Sequence, residues 1–186
     1  MNPIEILAAA LGVVNVALVV RRSLWNYPFG LAMVALYFFV FFEAKLYSDA
    51  LLQIFFFAVQ LYGWWAWARA DRAEDAHIVV ERMALNQRLA WATGVLALAL
   101  VWGSAMARLT DAAAPHVDGA IAIASIAAQL LQSRRRVECW WLWIAVDLAA
   151  IPLFLSRGLT VTAGLYGIFL ILALLGLREW QQKVRI

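Results

Sequence analysis

Residues 46–67 read LYSDALLQIFFFAVQLYGWWAW, an almost wholly apolar stretch that nevertheless carries two glutamines. Gln53, Phe57, Gln60, Trp64 and Trp67 recur at intervals of four, three, four and three, so on a helix they form one stripe, amide above and aromatic below. The run is continuously apolar rather than alternating in period two, which reads as a helix and not as a strand of a β-barrel. Such a stripe either lines a substrate path or bonds neighbouring helices together, and this stretch alone leaves both readings open.

The rest of the chain has the same character. Of 186 residues 66% are hydrophobic and only 15% charged, with ten tryptophans, which is too apolar for a soluble domain and places the chain in a lipid bilayer. A spanning helix needs roughly 20 mostly apolar residues. The charges divide the sequence into seven such spans, near residues 3–20, 26–43, 48–68, 89–108, 118–133, 138–155 and 159–180. No small-residue cleavage site closes the first apolar segment, so a retained span is expected there rather than a signal peptide. Cys139 is the single cysteine, which excludes an internal disulfide framework and a cysteine metal cluster. His77 and His116 fall in loops without partners at metal-ligand spacing. No metal, no cofactor and no nucleic-acid partner is expected.

Seven spans put the termini on opposite sides of the membrane. One side holds twelve basic residues: Arg21, Arg22, Arg69, Arg72, Arg82, Arg88, Arg134, Arg135, Arg136, Arg178, Lys183 and Arg185. The other holds Lys45, Arg108 and Arg157, three in all. The positive-inside bias therefore predicts an outer N-terminus and a cytoplasmic C-terminus. Residues 69–88 mix arginines with Asp71, Glu74, Asp75 and Glu81, and read as a solvated cytoplasmic linker.

An internal repeat emerges at an offset of about 113 residues. Arg21-Arg22 closes the first span as Arg134-Arg135-Arg136 closes the fifth, and with a shift of two more residues Trp25 falls on Trp140. Leu46 falls on Leu159, Gln53 on Tyr166, Gly63 on Gly176 and Trp67 on Trp180. The organisation predicted is a first triple-helix repeat over 1–68, the linker over 69–88, a linker transmembrane helix over 89–108 and a second triple-helix repeat over 117–186. One intervening helix gives both repeats the same orientation, a parallel arrangement that transporters use with the substrate near the midplane.

Asp147 is the sharpest single residue, a carboxylate at the centre of the sixth span with no deep Lys or Arg to pair it. A charge there costs about 2.5–3.5 kcal/mol on insertion scales, so something must offset it. Two readings stand: a protonated or hydrogen-bonded tie between helices, or contact with a substrate or proton, where a cationic ligand would supply the missing partner. Most of the tryptophans lie toward one interface, where such residues collect whatever the function. Trp64, on the Gln60 stripe, and Trp140 and Trp143, seven and four residues before Asp147, are the ones placed to stack on a flat cation. Gln53, Gln60 and Tyr166 are open between helix-to-helix bonding and ligand contact. Pro152 removes a backbone hydrogen bond inside the sixth span, as a hinge or as a fixed bend. Catalysis is not expected: the chain has no buried Ser/His pair, no second deep carboxylate and no HExxH motif.

The segments WNYPFG (25–30), EAKLYSDALLQIFFFAVQLYGWWAW (43–67) and VECWWLWIAVDLAAIPLF (137–154), followed by the tail from Gly158 to Trp180, resemble the PnuC family of bacterial vitamin transporters. The resemblance covers both triple-helix units and implies an all-α membrane protein of seven helices, two parallel triple-helix repeats around a linker helix, akin to the SWEET sugar transporters. It implies an inner-membrane facilitator of nicotinamide riboside, with thiamine or riboflavin carried in some lineages, no cofactor, assembly as a homotrimer, and trapping of the vitamin by a cytoplasmic kinase. The implied pocket holds Gln53 and Gln60 on the third span, Trp140, Trp143 and Asp147 on the sixth and Tyr166 on the seventh. Asp147 stands where riboside-type members have Asn; an acid suits a pyridinium or a thiazolium and suits neutral riboflavin less. From another class, a non-transporting membrane receptor or scaffold is the alternative.

Overall fold

The computed structural model describes residues 3–43, 47–73, 79–109, 114–156 and 160–184. They form seven α-helices: α1 (Pro3–Val20), α2 (Asn26–Glu43), α3 (Tyr47–Ala73), α4 (Leu85–Leu109), α5 (Pro115–Ser133), α6 (Cys139–Ser156) and α7 (Thr160–Lys183). The expected spans agree with these to within a few residues at each end. The shortest have 18 residues, about 27 Å at 1.5 Å per residue, which is close to the thickness of a hydrocarbon core. Helix α3 runs five residues past its expected end, into the charged segment, and α4 starts four residues early.

Helix α1 packs on α2, α2 on α3, α3 on α5, α5 on α6, α6 on α7, and α7 back on α1, so six helices close a ring. Among the described helices, α4 packs on α5 and on no other. That crossing is made where Gly103 meets Gly119: a side chain on either would run into the other helix, so the backbones approach as small residues allow in lipid. His116, at the start of α5, packs against Gly103 in the same crossing.

The two tightest turns of the ring are built alike. Arg22 closes α1 at φ 55° and Arg135 closes α5 at φ 59°, both left-handed. Around Arg22, the amides of Arg22 and Ser23 donate to the carbonyls of Val19 and Leu18 at 2.9 and 3.0 Å. Around Arg135, the amides of Arg135 and Arg136 donate to Gln132 and Leu131, each at 2.9 Å. This is the Schellman closure, usually made with glycine in the left-handed position, here made twice with arginine. The following helices begin alike as well: Asn26 and Tyr27 donate to Ser23 and Leu24, as Cys139 and Trp140 donate to Arg136 and Val137. Each partner lies 113 residues after its counterpart, with no further shift.

The constant spacing corrects one expected pairing. Trp25 is 69% exposed, and the residue that does what Trp140 does is Tyr27. Tyr27 packs on Gly63 and Trp140 on Gly176, each ring lying where a Cβ on the glycine would fall. Trp67 and Trp180 complete the set. Tyr27 meets Trp67 edge-on at 5.5 Å, Trp67 meets Trp180 at 5.7 Å, and Trp180 meets Trp140 edge-on at 5.4 Å. These four buried rings, from α2, α3, α7 and α6, close one end of the ring. Trp67, Trp140 and Trp180 are therefore core residues, whereas Trp25, Trp65, Trp102 and Trp141 lie exposed, as interface tryptophans do.

The linker expected to be solvated is anchored at two points in its second half, while Arg82 and residues 84–87 stay exposed. Val80 is fully buried and Met83 nearly so, both in the apolar cluster of the four rings. Val80 pairs in a β-bridge with Val184 and Glu81 with Arg136. The Glu81 carboxylate lies 2.9 Å from Arg136, Glu138 lies 2.9 Å from Arg88, and Arg135 donates to the Val79 carbonyl at 3.2 Å. Of the charges expected on a solvated face, Glu81 and Arg88 are thus paired across a seam, and Glu74 and Asp75 lie outside the described residues. His77 lies outside the described residues, as does the Leu46–Leu159 pair.

Replacing Gly176 by Val should force the Trp140 ring out of place and destabilise the protein by about 1–3 kcal/mol, the usual cost of overpacking. Gly94→Val, at a position open on all sides, should leave the midpoint of thermal unfolding in detergent unchanged.

Candidate functional site

Helix α6 turns one face inward. Trp140, Ile144, Val146, Asp147 and Ala150 are buried, Trp143 is half-buried, and Trp141, Ala145 and Leu148 point out. From Trp140 in the aromatic plug to Asp147 is seven residues, about 10 Å along the helix axis. Asp147 stands near the middle of α6 with only 3% of its surface exposed. Among the described residues it has neither an ion-pair nor a hydrogen-bond partner. The Trp140 indole N–H is likewise buried without an acceptor. Helix α6 remains helical through Pro152, one turn beyond.

Trp143 is held. Its indole N–H donates to the Gln132 side-chain oxygen on α5 at 2.9 Å. On α7, Tyr166 is half-buried and meets Phe169 edge-on at 5.8 Å; Phe169 in turn packs on Gly12 of α1.

Across α5 from α6, helix α3 supplies the two amides. Gln53 and Gln60 are buried, as is Trp67, seven residues further on. Phe57 and Trp64, between them, are partly exposed, so the five-residue stripe splits into a buried heptad seam and an outer flank. Gln53 is the polar residue of a cleft of about 250 Å³ between α2 and α3, lined otherwise by Val34, Ala35, Phe38, Phe39, Ile54 and Phe57. The Gln60 amide lies against Gly30, beside the amide of Asn15. Asn15 donates to the Asn26 carbonyl at 2.7 Å, and Asn26 to the Ser23 carbonyl at 2.7 Å. Gln60 thus stands beside the polar tie that Asn15 and Asn26 make between α1 and α2. Trp64 is 38% exposed and lies parallel to Tyr27 at 6.4 Å, bracing the plug from its flank.

Helices α3 and α6 both flank α5 and, among the described residues, do not pack on each other, so the predicted residues form two groups, one on either side of α5. Gln53 and Gln60 form one group, and Trp140, Trp143, Asp147 and Tyr166 the other. Sequence reasoning missed a third group. Ser125, Gln129 and Gln132 recur at four and three on α5, with Ser125 and Gln129 buried and Gln132 half-buried. The signal was the same period that singled out Gln53 and Gln60. Asn15 and Asn26 were also missed, each a lone amide with no periodic companion.

The chain's residues 2–182 match the family model described as nicotinamide mononucleotide transporter. The nicotinamide riboside transporter PnuC of Escherichia coli is 29% identical over 206 aligned positions, covering 98% of this chain and 86% of that protein. The riboflavin/roseoflavin transporter RibM of Streptomyces davaonensis is 34% identical, covering 94% of this chain and 83% of that protein. A crystal structure of the vitamin B3 transporter PnuC matches with a TM-score of 0.78 at 28% identity, covering 98% of this chain and 83% of that one.

Gly30→Ala should destabilise the protein, since its methyl would fall on the Gln60 amide and close to that of Asn15. We expect a loss of about 1–3 kcal/mol, lessened when Gln60→Ala is added, read from thermal unfolding of the two single variants and the double variant.

Proposed function

Because this chain belongs to the nicotinamide mononucleotide transporter family and is a membrane transporter rather than an enzyme, we propose that it is an inner-membrane facilitator of nicotinamide riboside. The observation that carries the substrate class is Asp147, a carboxylate buried at mid-helix with no cationic partner among the described residues. Removing a charge from water costs several kcal/mol unless a counter-charge answers it. A pyridinium brought by the ligand is that counter-charge, and Trp143, four residues away on the same helix, offers a face for it to stack on.

The pocket in this reading lies inside the ring of six helices. Trp140, Trp143, Asp147 and Tyr166 form one wall and Gln53 and Gln60 the other, with the aromatic plug as floor. Trp64, on the flank of Tyr27, acts on the plug and not on the vitamin. The arginine-rich end that carries the plug faces the cytoplasm, with the N-terminus outside and the C-terminus inside, by the twelve-to-three distribution of basic residues.

Helices α1–α3 and α5–α7 are the two parallel repeats, supported by the turns, glycines and rings that recur 113 residues apart. Alternating access is a rocking of one repeat against the other across the α1–α7 and α3–α5 seams. Trapping by a cytoplasmic kinase and assembly as a homotrimer are parts of this proposal carried by the family resemblance.

A second substrate, riboflavin, has the 34% identity to RibM behind it. A neutral isoalloxazine leaves the Asp147 charge unanswered, and for that reason nicotinamide riboside is preferred. Thiamine, a cation, tests the same carboxylate. In proteoliposomes, labelled nicotinamide riboside should be taken up and riboflavin should not; uptake of riboflavin alone reverses the assignment, and uptake of none of the three returns the chain to a receptor or scaffold. Asp147→Ala should fold normally by size-exclusion profile and abolish nicotinamide riboside binding.

A further inference from the structure

One link between the proposed vitamin wall and the plug runs through a residue outside both. Gln132, in the last turn of α5, accepts two indole protons. Its side-chain oxygen takes the Trp143 N–H at 2.9 Å, and its main-chain oxygen takes the Trp67 N–H at 3.3 Å. We infer that Gln132 is a positioning residue that fixes the plane of the Trp143 ring for the vitamin, through the side-chain bond.

The argument rests on comparing the two halves of the ring. At the position 113 residues earlier stands Val19, whose main-chain oxygen accepts the Trp180 N–H at 3.2 Å, the counterpart of the bond from Trp67. Valine carries no side-chain acceptor, and the counterpart of Trp143 is Gly30. The turn, the plug and the main-chain bond therefore form without any side-chain acceptor at this place. The Gln132–Trp143 bond is an addition made on one wall only, the wall that carries Asp147.

The chemistry of the pair fixes its direction. An indole N–H can only donate, so the amide must present its oxygen to Trp143 and turn its NH₂ the other way. An indole left without an acceptor in an apolar surround is costly, which holds the ring at one angle about the α6 axis. A ring free to rotate would offer the pyridinium an edge as often as a face. Gln129, buried one turn earlier on α5, keeps the same face of that helix polar.

The inference rests on the reading that Trp143 faces the vitamin, and the test separates the two. Uptake of labelled nicotinamide riboside into proteoliposomes is measured for Gln132→Leu, Gln132→Glu, Trp143→Phe and the double variant Gln132→Leu/Trp143→Phe, with thermal midpoints taken alongside. Gln132→Leu should raise KM about tenfold with maximal rate within about twofold and the midpoint lowered only modestly, by the loss of one indole hydrogen bond. Gln132→Glu, which keeps an acceptor, should restore KM to within about threefold. In the Trp143→Phe background, where no indole N–H exists, Gln132→Leu should have no further effect. An equal further loss in that background overturns the inference and makes Gln132 a residue acting on its own account. A normal KM in Gln132→Leu with a raised KM in Trp143→Phe overturns it while sparing the site. A normal KM in Trp143→Phe overturns the site and the inference together.

Discussion

Two indole N–H groups cross between the halves of the ring in opposite directions, and the rest of the fold is arranged so that both can be satisfied. Trp67 of α3 donates to the carbonyl of Gln132 on α5, and Trp180 of α7 donates to that of Val19 on α1. Helix C-termini leave carbonyls without intrahelical partners, and a buried indole needs an acceptor, so each supplies what the other lacks. Each carbonyl has a second lone pair, taken by the amide of Arg22 or Arg135 in its left-handed turn. Turn, helix end and aromatic plug are thus a single hydrogen-bonded assembly, made twice. Gly63 and Gly176 give Tyr27 and Trp140 room to lie against the same helices.

The charges at this end follow from the plug. Arg135 and Arg136 stand where the turn exposes them, and Glu81 reaches them from the linker while Val80 goes beneath, into the cluster of rings. The apolar contact draws the segment in and the ion pairs set its register. Partly exposed pairs of this kind contribute little stability individually, so Val80 and Met83 account for more of the docking than the charges do.

Much of this was legible in the sequence, for physical reasons that differ from part to part. The seven helices are legible because lipid demands long apolar runs and water demands charges between them. The 113-residue correspondence is legible where it uses glycine and tryptophan, since few other residues fit there: Gly63 with Gly176, Trp67 with Trp180. It misleads at Trp25, because an interface tryptophan and a plug tryptophan look the same in sequence, and tyrosine takes the plug position in the first half. The docking of Val80 and Met83 was not legible because alternating signs describe a solvated face and a docked seam equally well; only the partners on Arg136 and Glu138 distinguish them. Asp147 was legible through its isolation. Gln132 was not, because a glutamine one turn from an arginine cluster reads as part of the helix end, and its value lies in the tryptophan it meets on another helix.

The reciprocal clasp has the form of a two-fold interface, yet both partners lie on one chain. In a symmetric dimer every substitution is made twice, so a residue that helps on one side must be tolerated on the other. Here a substitution is made once. Val34 stands where Asp147 stands 113 residues on, and Gly30, close against Gln60, stands where Trp143 does. Continuity of the chain lets like turns and rings enclose unlike residues, a carboxylate on α6 and amides on α3.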